Sequence, residues 1–144
     1  MIEFIKKHAD KEASEITVCF YGGEALLARK KINWIISELK KEFAEKVKIL
    51  ALTNGLALTE TVVDWICTFN KFLVNVTLDG NKFMHDKHRR TISGNGSYDV
   101  IIKNLELFKD NIEKFTRIKC GFCPRYIRGM MSYILTKCGI MNLY

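Results

Sequence analysis

Two glycines followed by a carboxylate, Gly22-Gly23-Glu24, come directly after the apolar run Ile16-Thr17-Val18-Cys19-Phe20-Tyr21. An apolar run, a Gly-Gly pair and then a helical pattern read as a strand, a tight turn and a helix start. Glycines let a backbone turn sharply and come close to a ligand, and a carboxylate beside exposed amides at a strand's carboxyl end can hold a ligand's ammonium group. The same residues also suit an ordinary strand-to-helix turn with a solvated glutamate, because short glycine motifs recur without any ligand. Two later apolar runs end in similar polar punctuation, Thr53-Asn54-Gly55 and Thr77-Leu78-Asp79-Gly80.

Thiol chemistry is a second candidate. The chain has five cysteines, an odd number that argues against a disulfide framework. Cys19 and Cys67 lie in apolar runs and are expected to be buried thiols. Cys120-Gly121-Phe122-Cys123 has metal-ligand spacing, with Cys138 further on, but one pair lacking a second pair or matched histidines is a weak signal for zinc or a cluster.

The elements that must position these residues follow from apolar periodicity. Ile2, Ile5 and Ala9 predict a short helix from residue 2 to about 11. The near-continuous apolar run 16–21 predicts a first strand buried on both faces. Leu26, Leu27, Ile32, Ile35, Ile36, Leu39 and Phe43 mark one face of a long helix over 25–43. Residues 47–52 form a second strand. A helix over 59–69 follows, with Thr59 as N-cap, and then a third strand over 72–78. A polar linker of roughly 15 residues, containing Gly94 and Gly96, leads to a helix that starts near Ser97 and carries Val100, Ile101, Leu105 and Phe108. Residues 117–122 predict a weaker fourth strand, and 125–144 a terminal helix.

Composition narrows the field. The 144 residues fit one domain able to bury a core. No apolar run approaches the roughly 20 residues of a membrane span, and Met1 to Asp10 lacks the order of regions of a signal peptide, so a cytoplasmic protein with no membrane partner is expected. The net charge of +7 invites a nucleic-acid partner. However, Lys30, Lys31, Lys40, Lys41, Lys46 and Lys48 alternate with Glu38, Glu42 and Glu45, the pattern of a solvated helix face. Only 85–90, with Lys87, Arg89 and Arg90, is compactly basic, so no nucleic-acid partner is expected.

Strands alternating with helices imply parallel pairing through right-handed crossovers, which sends the carboxyl ends of the strands to one rim. Gly22-Gly23-Glu24, Thr53-Asn54-Gly55 and Thr77-Leu78-Asp79-Gly80 then converge on a single site.

The ordered set of strand with Gly22-Gly23-Glu24 and Leu26-Leu27, strand with Thr53-Asn54-Gly55, strand with Leu78-Asp79-Gly80, then His85-Asp86-Lys87-His88-Arg89 and Gly94-Asn95-Gly96-Ser97-Tyr98-Asp99, resembles radical SAM enzymes. It is most similar to the SPASM-type peptide and protein maturases, which include the anaerobic sulfatase-maturating enzymes. The match covers about 16–109. The resemblance implies an α/β fold, an incomplete (β/α)6 partial barrel with about four parallel strands and helices mainly on one face. It further implies a parent activity in which a [4Fe-4S] cluster and S-adenosylmethionine generate a 5′-deoxyadenosyl radical for modification of a peptide or protein substrate. By position, Gly22, Gly23 and Glu24 match the motif that binds the methionine amino group. Thr77 replaces a frequent serine and keeps a hydroxyl for the methionine carboxylate, Asn54 and Asp79 share the rim, and Arg89 matches a recurrent arginine.

The departures carry expectations of their own. Ala25 replaces the usual proline, which loosens the helix start. The CxxxCxxC motif that binds the cluster should precede the first helix, and the sequence contains none. Residues 1–144 are therefore expected to be a single partial domain, a fragment that alone binds neither cofactor stably and is inactive. Its open strand edges should favour homo-oligomers. The alternative is a non-catalytic radical SAM-like module that binds a peptide or protein partner. Retention of Glu24, Asn54 and Asp79 together favours the fragment.

Overall fold

In a computed structural model, residues 1–108 are described throughout and 115–119 in their backbone. Cys120, Cys123 and the terminal helix expected over 125–144 lie outside the described residues. The elements are α1 (Ile2–His8), β1 (Ile16–Phe20), α2 (Arg29–Phe43), β2 (Val47–Thr53), α3 (Glu60–Cys67), β3 (Phe72–Thr77), α4 (Lys82–His88), α5 (Tyr98–Leu105) and β4 (Phe115–Lys119). The sheet has four strands in the order β1-β2-β3-β4, and every adjacent pair is parallel. The parallel pairing is what alternation predicts, and the incomplete barrel is what the family resemblance implies.

Register shows which face is packed. The rows Val18–Ile49–Phe72, Ala51–Val74 and Thr53–Val76 are buried beneath the helices. Between them the rows Cys19–Leu50–Leu73 and Leu52–Asn75 occupy the other face and are more accessible. On α2, Ile32, Ile35, Ile36, Leu39 and Phe43 form the buried stripe, at the spacing that puts residues on one side of a helix. From α3, Val62, Val63 and Ile66 join this core, and Trp65, Phe69 and Phe72 meet ring to ring beside it. Helices thus cover one face of the described sheet.

Several expectations require correction. The first strand is not buried on both faces: only Val18 of β1 is buried and Cys19 is exposed. An apolar run shows that a strand can be covered, but β1 is an edge and no second layer among the described residues lies over its Cys19 face. Cys67 is half-buried rather than buried. The long helix does not begin as α-helix at Ala25; Ala25–Ala28 is a 3₁₀ turn that precedes α2. The linker contains α4, with Asn81 as N-cap accepting a hydrogen bond from the Met84 amide at 3.0 Å. Its only buried residue is His85, so the sequence shows no apolar stripe there. Thr59 occupies the N-cap position of α3 without a side-chain capping bond.

The chain leaves α2 through Ala44, whose φ of 47° is left-handed and disfavoured by a β-carbon. Urea denaturation should therefore show Ala44→Gly stabilising the fold by about 1 kcal/mol. Leu39→Ala, at a position with no solvent exposure, should cost about 2–5 kcal/mol. Cys19→Ser should stay within about 0.5 kcal/mol.

Candidate functional site

The first strand ends in Gly22 and Gly23, with φ of 105° and 53°. A β-carbon added at either would meet nothing within 4 Å, so it is backbone conformation rather than crowding that selects glycine there. The double turn brings Glu24 back over the end of β2. Its Oε1 accepts from the Thr53 hydroxyl at 2.6 Å and the Leu26 amide at 3.3 Å, and its Oε2 accepts from the Asn54 amide at 2.9 Å. One carboxylate thus joins the ends of β1 and β2 and caps the 3₁₀ turn.

The second strand end is bound internally as well. Asn54 Oδ1 accepts from the Leu56 amide at 2.9 Å, a local turn that asparagine side chains favour. Thr53 Oγ1 accepts from the Gly55 amide at 3.0 Å, and Asn104 Nδ2 on α5 donates to the Gly55 carbonyl at 2.9 Å. Gly55 is doubly constrained, by a φ of 84° and by Ile101 Cγ2 only 2.8 Å from where a β-carbon would sit.

At the third strand end Arg89 Nε donates to the Asp79 carboxylate, and the Asp79 amide donates to His85 Nδ1 at 3.1 Å. His85 is completely buried. Burial holds its imidazole below the usual histidine range, against the opposing pull of the Asp79 and Asp86 carboxylates.

A cavity of about 320 Å³ opens where these ends meet, lined by Tyr21, Gly22, Gly23, Leu52, Thr53, Asn54, Thr77 and Arg89. Gly22, Gly23, Asn54, Thr77 and Arg89 were legible in the sequence and form its wall. Glu24 and Asp79 stand behind the wall, where Glu24 bonds Thr53 and Asn54 and Asp79 bonds Arg89. Thr53, which the sequence placed on the rim with Asn54 and Gly55 without giving it a role, also lines the cavity, and sequence reasoning missed Tyr21 and Leu52. Arg89 is the one ionic side chain of the lining, so the cavity suits an anionic group set among polar and apolar contacts.

Comparison with known proteins places this geometry. A cysteine-type anaerobic sulfatase-maturating enzyme of Clostridium novyi is 34% identical over 117 residues, covering 74% of this chain and 29% of that relative. The radical SAM cyclopropyl synthase TigE of Paramaledivibacter caminithermalis is 27% identical over 114 residues, covering 76% of this chain and 23% of that protein. The chain belongs to the radical SAM maturases. Among solved structures, native anSMEcpe with bound AdoMet and Cp18Cys peptide has the same fold, with a TM-score of 0.75 at 22% identity over 97% of this chain and 39% of that one. No family profile matches. This radical SAM maturase chain therefore spans under a third of the curated relatives it matches.

The described residues of this maturase chain do not provide a cluster site. Among them no three His, Cys, Asp or Glu side chains are placed to hold a metal ion. Cys19 lies on β1 and Cys67 closes α3, on separate elements. None of the described helices is long and apolar enough to cross a membrane.

Two outcomes follow for the site. Glu24→Gln turns an amide N–H toward a backbone or hydroxyl donor and should cost about 1–3 kcal/mol in denaturant melts. Gly55→Ala should cost more than Gly22→Ala, because only the former adds a clash with Ile101 to the strained φ. For pH, the folded state keeps His85 neutral while the unfolded chain takes up a proton near 6.5. Wild-type stability should therefore fall relative to His85→Asn as pH drops below about 6.5, levelling off once the pH is below the folded value.

Proposed function

We propose that the cavity at the carboxyl ends of β1, β2 and β3 takes the methionine end of S-adenosylmethionine, and that the chain is a segment of a peptide- or protein-modifying radical SAM maturase without turnover of its own. The observation that carries this reading is the convergence of Gly22, Gly23, Asn54, Thr77 and Arg89 on one wall. Gly22 and Gly23 line the cavity, and a β-carbon at either would meet nothing within 4 Å, so the turn leaves room for an ammonium group. The Thr77 hydroxyl and the Arg89 guanidinium are donors suited to a carboxylate. Glu24 and Asp79 act from behind, holding Asn54 and Arg89 in place. The volume falls within the about 300–1,000 Å³ usual for small-molecule sites.

Family membership and the AdoMet held by structural neighbours support this occupant. The peptide bound to anSMEcpe supports a peptide substrate for the full-length protein. When bound beside a reduced cluster, S-adenosylmethionine supplies hydrogen-abstraction chemistry; the described residues offer it a binding wall and no thiolate set. The chain's own part is to orient the cofactor's amino and carboxylate groups.

Calorimetric or NMR titration with S-adenosylmethionine should show weak, saturable binding. Thr77→Val and Arg89→Met should each weaken it about tenfold, the loss of one hydrogen bond to a charged group. After anaerobic reconstitution with iron and sulfide, the chain should hold no stoichiometric iron and release no 5′-deoxyadenosine under dithionite. One cluster per chain, abolished by Cys120→Ala with Cys123→Ala and accompanied by deoxyadenosine, would overturn the inactive-segment reading. Unchanged affinity in both rim variants would overturn the site.

A further inference from the structure

We propose that His85 is a positioning residue for the cavity, setting Arg89 through a closed ring of hydrogen bonds that exists only while its imidazole is neutral. The ring can be followed atom by atom. The Asp79 amide donates to His85 Nδ1 at 3.1 Å. Because Nδ1 is thereby the acceptor nitrogen, the proton of the neutral ring sits on Nε2, which faces Ser97 Oγ at 2.9 Å. Ser97 Oγ in turn donates to the Arg89 carbonyl at 2.8 Å. Arg89 Nε donates to the Asp79 carboxylate, and the circuit closes. Arg89 is therefore held at both ends by groups that depend on His85, its main chain through Ser97 and its guanidinium through Asp79.

Neighbouring contacts leave the ring little room to adjust. His85 has no solvent exposure, and Ser97 is 2% exposed. The His85 and Tyr98 rings meet edge to face with centroids 5.9 Å apart. Asp86 Oδ1 accepts from the Tyr98 amide at 2.9 Å, and Lys82 pairs with Asp99, so α4 and α5 are clasped on either side. A β-carbon at Gly96 would lie 2.3 Å from the Asp86 carboxylate, which keeps that approach closed. The ionisable groups facing His85 are Asp79 at the end of β3, Asp86 on α4, Arg89 just beyond α4 and Tyr98 on α5. The two carboxylates favour the imidazolium, whereas Arg89 and burial oppose it, and burial is the largest influence.

Protonation takes a proton from solvent onto Nδ1, the atom that accepts the Asp79 amide. Two N–H groups then face each other and one hydrogen bond must break. The displaced group is the Asp79 main chain, whose own carboxylate orients Arg89 on the cavity wall. Acid should thus loosen the Arg89 guanidinium on the wall through a proton taken up at His85, outside the lining. This inference rests on the cavity being an anion-recognising cofactor site, and the following experiment separates the two.

The full chain, labelled with ¹⁵N, is titrated downward from pH 8 through the His85 midpoint without ligand. The expected result is an Nε2–H tautomer for His85, with the Asp79 amide and Arg89 Nε–H signals moving at the His85 midpoint. An Nδ1–H tautomer, or Asp79 and Arg89 signals that ignore that midpoint, overturns the proposal. A second arm titrates S-adenosylmethionine at pH 8 and at a pH below the His85 midpoint found in the first. Wild-type affinity should fall about tenfold with acid, the loss of one hydrogen bond to a charged group. His85→Asn keeps an acceptor toward Asp79 and cannot titrate, so its affinity should be flat with pH; the same tenfold fall in that variant overturns the proposal. Should His85→Asn not fold, Asp79→Ala replaces it: the residue-79 amide still meets His85 Nδ1 and should follow the His85 midpoint, whereas the Arg89 signal, deprived of the carboxylate, should not, and retained Arg89 coupling overturns the ring. Coupled signals in a chain that binds no S-adenosylmethionine would support the ring and overturn the cofactor reading instead.

Discussion

The Glu24 carboxylate is the constraint on which the rim depends. It collects the Thr53 hydroxyl, the Asn54 amide and the Leu26 amide, and so ties together two strand ends that lie about thirty residues apart in sequence. Carboxylates with several donors are strong acceptors, and two of these donors are main-chain groups at helix or strand termini that otherwise lack partners. The Gly22-Gly23 turn exists to deliver this carboxylate: its left-handed φ values reverse the chain sharply enough for Glu24 to reach β2. Glu24 thus has a structural role, holding Thr53 and Asn54 of the cavity wall.

The third strand end uses different means for the same task. Here the ordering groups come from α4 and the start of α5, through Asp79, Arg89, His85 and Ser97. Buried polar side chains are costly unless they are fully partnered, and both nitrogens of His85 are partnered. The rim therefore has two halves of different character. One is a carboxylate that collects three donors, and the other is a histidine ring whose acceptor nitrogen exists only in the neutral imidazole.

Radical SAM chemistry separates into cofactor orientation and cluster ligation, and the function proposed for the described residues belongs to the first. The wall offers a left-handed glycine turn, hydroxyl and amide groups and one guanidinium. None of these is a thiolate, and the two described thiols sit on separate elements. The face of the described sheet away from the helices bears Cys19, Leu50, Leu52, Leu73 and Asn75, all half-buried except the exposed Cys19.

Sequence alone determined the order of strands and helices, their parallel pairing and the rim on which the polar strand ends meet. Those features follow from apolar spacing of 3.6 or 2 residues and from glycine punctuation, which are local properties of the chain. It also carried the family motifs and the five lining residues from Gly22 to Arg89. It did not show that β1 would leave Cys19 exposed, since an apolar run is the same whether or not a second layer covers it. It did not show α4, because a helix that buries only His85 has no apolar stripe to read. Least legible were the roles of Glu24, Asp79 and His85. Their partners are Thr53, Arg89 and Ser97, brought within hydrogen-bond reach by the crossovers and by the packing of α4 against α5, and only tertiary structure decides which donor finds which acceptor.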